Sequence, residues 1–178
     1  FYGDRDWAGS EGQADYFASQ SCAREIWRTQ TAENARFRTL VGDFEKKKCD
    51  AAWSRPDDQD LCYRTAAAGQ SLATLLGALR TGSTPPRFDT PDTHKVAVTY
   101  TGHPEAQCRL DTYFNGALCG VSFDKNQIPG RNPDGGQLGQ DAELSASKAS
   151  CMTAAGYTSG VRPLCWFKPN LEFLAIQY

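Results

Sequence analysis

Histidine is scarce in this chain. His94 and His103 are the only two in 178 residues, and the H-E-x-x-H motif of zinc peptidase helices occurs nowhere. No two cysteines form a C-x-x-C pair, which argues against a zinc ribbon or a thioredoxin-like redox site. No G-x-S-x-G elbow for a serine nucleophile is present, since "AAGQS" and "RTGST" do not match it. No apolar run approaches the length of a membrane span. The formal net charge is only -2, so there is no electrostatic case for nucleic acid or an anionic membrane as partner. The chain opens on Phe1 with no basic segment followed by an apolar one, so no signal peptide is read. The expectation is a mature chain, trimmed or excised from a longer protein.

What is present describes a globular protein. Hydrophobic residues make up 40% and charged residues 22%, and the length suits one ordinary domain with a core. Seven cysteines, Cys22, Cys49, Cys62, Cys108, Cys119, Cys151 and Cys165, are many for an intracellular protein. They point to disulfides and an oxidising compartment, hence a secreted or periplasmic location. The odd count leaves one thiol over, assigned to Cys22. Cys49 and Cys62 bracket "DAAWSRPDDQDL" and are expected to staple that loop. Cys108 and Cys119 read as residues of one helix about 16 Å apart, too far for mutual bonding, so each reaches toward Cys151 or Cys165.

Helical periodicity dominates. Trp7 to about Arg28 is apolar on several faces, as a buried helix is. Thr31 is read as the cap of a second helix, with Phe37, Leu40, Val41 and Phe44 on one face and Lys46, Lys47 and Lys48 at its C-terminus. A third helix follows the "RPDDQD" loop, with Leu72, Leu75, Leu76 and Leu79 as an apolar stripe. "HKVAVTY" alternates as a short strand does. Pro104 is placed at the first position of a helix whose buried face is Leu110, Tyr113, Phe114, Ala117 and Leu118. Gly120 to Gly139 reads as a long Gly/Pro loop; its "DKNQIPG" fails as a calcium loop because Gly130 is misplaced and no closing Glu follows. Asp141 to Ala155 reads as a weak helix, and Trp166 and Phe167 as residues packing on the core. The expected fold is mainly α: residues 1–178 as a single disulfide-stapled helical domain.

The chemistry concentrates in two short stretches. "GSEGQADYFA" puts Glu11 and Asp15 one turn apart on one helix face, a spacing that mildly destabilises a helix. A buried charge must be paired or bind a metal. A zinc peptidase uses three protein ligands and an open position for water, with a further acid orienting a ligating histidine. The small residues Ala14 and Ala18 would let a partner helix come close.

"SEGQADYFA" resembles the E-x-x-x-D third-ligand helix of gluzincin metallopeptidases, in particular the group of the CAAX prenyl proteases and their soluble bacterial relatives. "TGHPEAQCRL" resembles the His-Pro of that group, which opens a helix with an arginine a few residues in. The resemblance covers about Trp7 to Ala23 and Thr101 to Leu118. It implies that Glu11 ligates zinc and that Asp15 braces a metal-bound histidine. It also implies that His103 lies near the metal or the scissile carbonyl oxygen, and that Arg109 orients neighbouring carboxylates. The missing H-E-x-x-H implies a helix upstream of Phe1 as the partner that completes the zinc site. The chain would then be the C-terminal part of a zinc-dependent endopeptidase acting on peptides or proteins, inactive alone.

Solvated carboxylates explain Glu11 and Asp15 without a metal. A site of Glu11, His94 and His103 has no support in the spacing. Cys108 is a poor match to His103 as a cysteine-protease pair, and two acids across a cleft would suit a glycosidase. Asp111 is left without a role. The alternative function is a non-catalytic, disulfide-stapled helical binding domain with the Gly/Pro loop as its contact surface.

Overall fold

The computed structural model of the chain describes residues 10–122, 124 and 148–169. These residues are mainly helical, and no strand forms among them. The first helical run is α1 (Glu11–Phe17), a π-helical turn (Ala18–Cys22) and α2 (Ala23–Trp27) in unbroken succession. Its expected start at Trp7 lies outside the described residues. The π turn contains Ser19, whose hydroxyl donates to the carbonyls of Asp15 and Tyr16 rather than to solvent.

The second expected helix is broken in two. α3 (Thr31–Ala35) runs into a 3-10 turn (Arg36–Thr39), and α4 (Asp43–Ala52) starts afresh after Gly42. Thr31 is the first helical residue rather than a cap, since Gln30 holds the cap position without a side-chain bond. Lys46, Lys47 and Lys48 therefore sit inside α4, not at a helix end complementing its dipole. The "RPDDQD" loop is also helix: α5 (Pro56–Ala78) begins on Pro56 at N1, with Asp57 and Asp58 in its first turn. Proline lacks only a donor that N1 would leave unused, and the acids favour the positive helix end. α6 (Ala106–Leu118) is capped by Glu105, so Pro104 lies just outside the helix rather than at its first position.

α6 is the central element, packed against α1, the π turn, α4 and α5. On one side Phe114, Ala117 and Leu118 join Val41, Cys49, Cys62, Tyr63 and Ala66 in a core cluster. On the other, Cys108 and Cys119 join Tyr16, Cys151, Cys165 and Trp166 in a second cluster. Trp166 is fully buried, as expected for a residue packing on the core, and Phe167 packs beside it. α1 approaches α6 closely at Gly116, where a Cβ would stand 2.9 Å from the Tyr16 carbonyl oxygen and collide with the Ser19 hydroxyl.

The cysteines pair as Cys49–Cys62, Cys108–Cys165 and Cys119–Cys151, leaving Cys22 free and exposed. Cys119 is the residue just past α6 rather than a helical one. "HKVAVTY" is extended but forms no strand; it is tied to the closing segment by Val96 N–H to the Leu164 carbonyl (3.0 Å) and Tyr100 N–H to the Trp166 carbonyl (2.7 Å). Residues 148–155 form a turn and a 3-10 helix (Thr153–Ala155), not the expected helix, whose first part lies outside the described residues. Most of the Gly/Pro loop from Gly120 to Gly139 lies outside them too. No helix among the described residues is long and apolar enough to cross a membrane.

Candidate functional site

α1 and α6 bring together the four residues singled out in the sequence. Arg109, on the first turns of α6, sends Nε to Asp15 Oδ2 at 2.7 Å and Nη2 to Asp15 Oδ1 at 2.9 Å. Its Nη1 lies 2.7 Å from Glu11 Oε2. That contact is a charge pair without hydrogen-bond alignment, since Glu11 Oε2 is buried and accepts no aligned bond. His103, in the extended entry to α6, places Nδ1 2.7 Å from Glu11 Oε1, an ion pair when the ring is protonated. One guanidinium thus holds both carboxylates, and an exposed imidazole caps the outer one.

The helix geometry explains the arrangement. Glu11 and Asp15 are one turn apart, so both face the same neighbour. Their mutual repulsion is offset because that neighbour is a planar, bidentate cation.

A fifth member is Tyr113, which the sequence pattern marks only as part of the buried helix face. Its hydroxyl donates to Asp15 Oδ1 at 2.9 Å, and Arg109 Nη2 donates to the same hydroxyl oxygen at 3.0 Å. The available signal was its place one turn after Arg109 on α6; an aromatic ring on an apolar face hides a polar tip.

Burial pushes the Asp15 carboxyl above its ordinary value, against the pull of Arg109's hydrogen bonds and charge and of the Tyr113 hydroxyl. For Arg109, burial works against the charge, but the hydrogen bonds and charge of Asp15 outweigh it and hold the guanidinium above its ordinary value. Burial, reinforced by the Asp15 charge, also raises the Tyr113 phenol. The site is therefore a partly desolvated pair of acids locked to one permanent cation.

The remaining candidates lie elsewhere. His94 is exposed, its backbone N–H bonded to Asp92 Oδ1 at 2.8 Å. Among the described residues Glu11, His94 and His103 do not form a three-ligand group. Asp92, Cys108 and Cys165 do cluster, but the two sulfurs are bonded to each other and cannot act as thiolate ligands. The same disulfide removes Cys108 as a nucleophile. Asp111 has a structural role: it accepts the Asp92 N–H at 2.7 Å and Gln107 Nε2 at 2.9 Å, tying the 89–94 loop to α6.

A zinc site needs three protein ligands. The donors near one another here are a Glu11 carboxylate and the His103 imidazole, so the donor chemistry fits one carboxylate ligand with a neighbouring imidazole and not a complete site. No family model, no curated protein and no solved structure matches the chain.

Proposed function

We propose that this chain is the C-terminal part of a secreted or periplasmic zinc-dependent endopeptidase, supplying the third metal ligand and a histidine that stabilises the transition state. The supporting observation is the convergence of Glu11, Asp15, His103 and Arg109. Two helix-proximal segments about ninety residues apart meet in contacts of 2.7 to 2.9 Å.

Zinc, when bound, would supply the acidity that turns water into a nucleophile at neutral pH. Glu11 would hold the metal through an oxygen that here faces His103 or Arg109. Arg109 fixes the angle of that carboxylate and favours the ionised form of Asp15 against the effect of burial. Asp15 uses three of its roughly four acceptor positions on Arg109 and Tyr113, leaving one on Oδ2 for a ligating histidine. His103, exposed and at the mouth of the cluster, would donate a hydrogen bond to the carbonyl oxygen of a bound peptide. The general base and two further ligands would come from an upstream H-E-x-x-H helix.

One observation favours the second reading, a non-catalytic binding domain: both Glu11 oxygens already have partners within the chain, the Arg109 guanidinium and the His103 imidazole. The two readings are separated by the gene and by zinc. The peptidase reading expects a reading frame that encodes H-E-x-x-H shortly before Phe1. It also expects weak or no zinc binding by the isolated chain in calorimetry. A frame without the motif, or tight stoichiometric zinc on the isolated chain, would overturn it.

A further inference from the structure

A carboxylate stands beside the Cys108–Cys165 disulfide. An oxygen of Asp92 and the two sulfurs all lie within 4.8 Å of one another, and both cysteines are buried. Sulfurs bonded to each other carry no proton, so they give that oxygen no hydrogen bond. The bonds Asp92 does make bring no cation either. Its Oδ1 accepts the His94 N–H at 2.8 Å, and its own N–H donates to Asp111 Oδ2 at 2.7 Å. A half-buried acid placed in this way is unfavourable unless a positive group shares the site.

The three side chains are held in place by more than the sulfur bond. Cys108 lies in the first turn of α6. Asp111, one turn further along α6, anchors the Asp92 backbone. Cys165 sits between Leu164 and Trp166, whose carbonyls accept the N–H groups of Val96 and Tyr100 at 3.0 and 2.7 Å. Trp166 packs in the same core cluster as both cysteines. The segment 92–100 therefore ties α6 to the closing segment on its own, and the two sulfurs stay neighbours when the bond between them is open.

We propose that Cys108, Cys165 and Asp92 form a zinc site that the disulfide closes, with two thiolates and one carboxylate as ligands and water in the fourth position. Opening the site takes two electrons and two protons, supplied by a dithiol that is itself oxidised to a disulfide. Zinc binding then releases both thiol protons. Two thiolates select zinc over magnesium or calcium, and three protein ligands with an open position match its coordination. The proposal rests on these three residues and not on the peptidase reading. The fully oxidised chain, on which that reading is tested, lacks the site.

The test is oxidative refolding of the reduced chain, in a Cys22→Ser background, in a glutathione buffer with and without zinc. Remaining thiols are trapped by alkylation and located by mass spectrometry, and zinc is measured after gel filtration. Without zinc all three disulfides should form. With zinc, Cys49–Cys62 and Cys119–Cys151 should form while Cys108 and Cys165 stay as thiols on one bound zinc. Asp92→Asn should weaken that binding about tenfold or more. Formation of Cys108–Cys165 to the same extent with zinc as without overturns the proposal. So does equal zinc binding by the Cys108→Ala/Cys165→Ala variant or by Asp92→Asn. A zinc-bound product without the circular dichroism of the oxidised chain also overturns it, because the metal is then held by an unfolded chain.

Discussion

Replacing Arg109 by methionine removes the cation and keeps most of the side-chain volume. Arg109 is 14% exposed and the Asp15 side chain 9%, so Asp15 would be left as a nearly buried carboxylate without counter-charge. Removing one partner of a buried pair costs about 3–5 kcal/mol. Two features place this case at the low end: Tyr113 still donates to Asp15, and Glu11, about a third exposed, is screened by water. The expected loss is about 3 kcal/mol at pH 7, a fall in Tm of about 6–12 °C for a chain of this size. The deficit should shrink as pH falls toward the ordinary aspartate range, because burial raises the Asp15 carboxyl above that range and protonation removes the stranded charge. Urea unfolding followed by circular dichroism at pH 7 and pH 4, with disulfides intact, measures both. In the Asp15→Asn/Arg109→Met double variant the losses should fall short of their sum by about 2 kcal/mol. A loss under about 1 kcal/mol at pH 7, or a deficit that grows on acidification, would refute the reasoning.

Three further outcomes are expected. Gly116→Ala would force the new Cβ against Ser19 and the Tyr16 carbonyl, and urea titration should show a loss of about 2 kcal/mol. Removing Cys108–Cys165, which spans 57 residues, should cost about 4 kcal/mol, against about 3 kcal/mol for Cys49–Cys62 across 13 residues, read by urea unfolding of the paired alanine variants. Burial pushes Tyr16 and Tyr63 up to about 12, so folding withholds protons that the unfolded chain releases near pH 10. Their stabilisation is complete below pH 10 and is lost as pH rises toward 12, with stability falling by up to about 1.4 kcal/mol per pH unit for each phenol. Absorbance of tyrosinate against pH, beside unfolding curves, reads both effects.

Much of the fold was legible because helix periodicity and turn residues act locally. α1, α5 and α6 announce themselves by apolar spacing, and the odd cysteine count calls for one unpaired thiol, which is Cys22. Misreadings arose where a local signal had two physical uses. Asp57 and Asp58 look like a loop and serve a helix start. Phe37, Leu40, Val41 and Phe44 keep helical spacing in the sequence, but the chain breaks at Gly42 and the set does not share one face: Val41 is buried while Leu40 and Phe44 are exposed. Leu72, Leu75 and Leu79 form the clearest apolar stripe yet face outward, since periodicity reports a face and not what covers it. The four site residues were legible only through two motifs. Tyr113 was not, because its hydroxyl's partner is ninety-eight residues away in sequence.

The central claim is that Glu11 lends its carboxylate to a metal whose other ligands come from outside this chain. The most direct measurement is zinc content per molecule of the whole gene product, before and after Glu11→Gln, with circular dichroism to show that the variant is folded. The account predicts one zinc in the parent and a loss of most of it in the variant. A folded variant that retains its zinc would contradict the account.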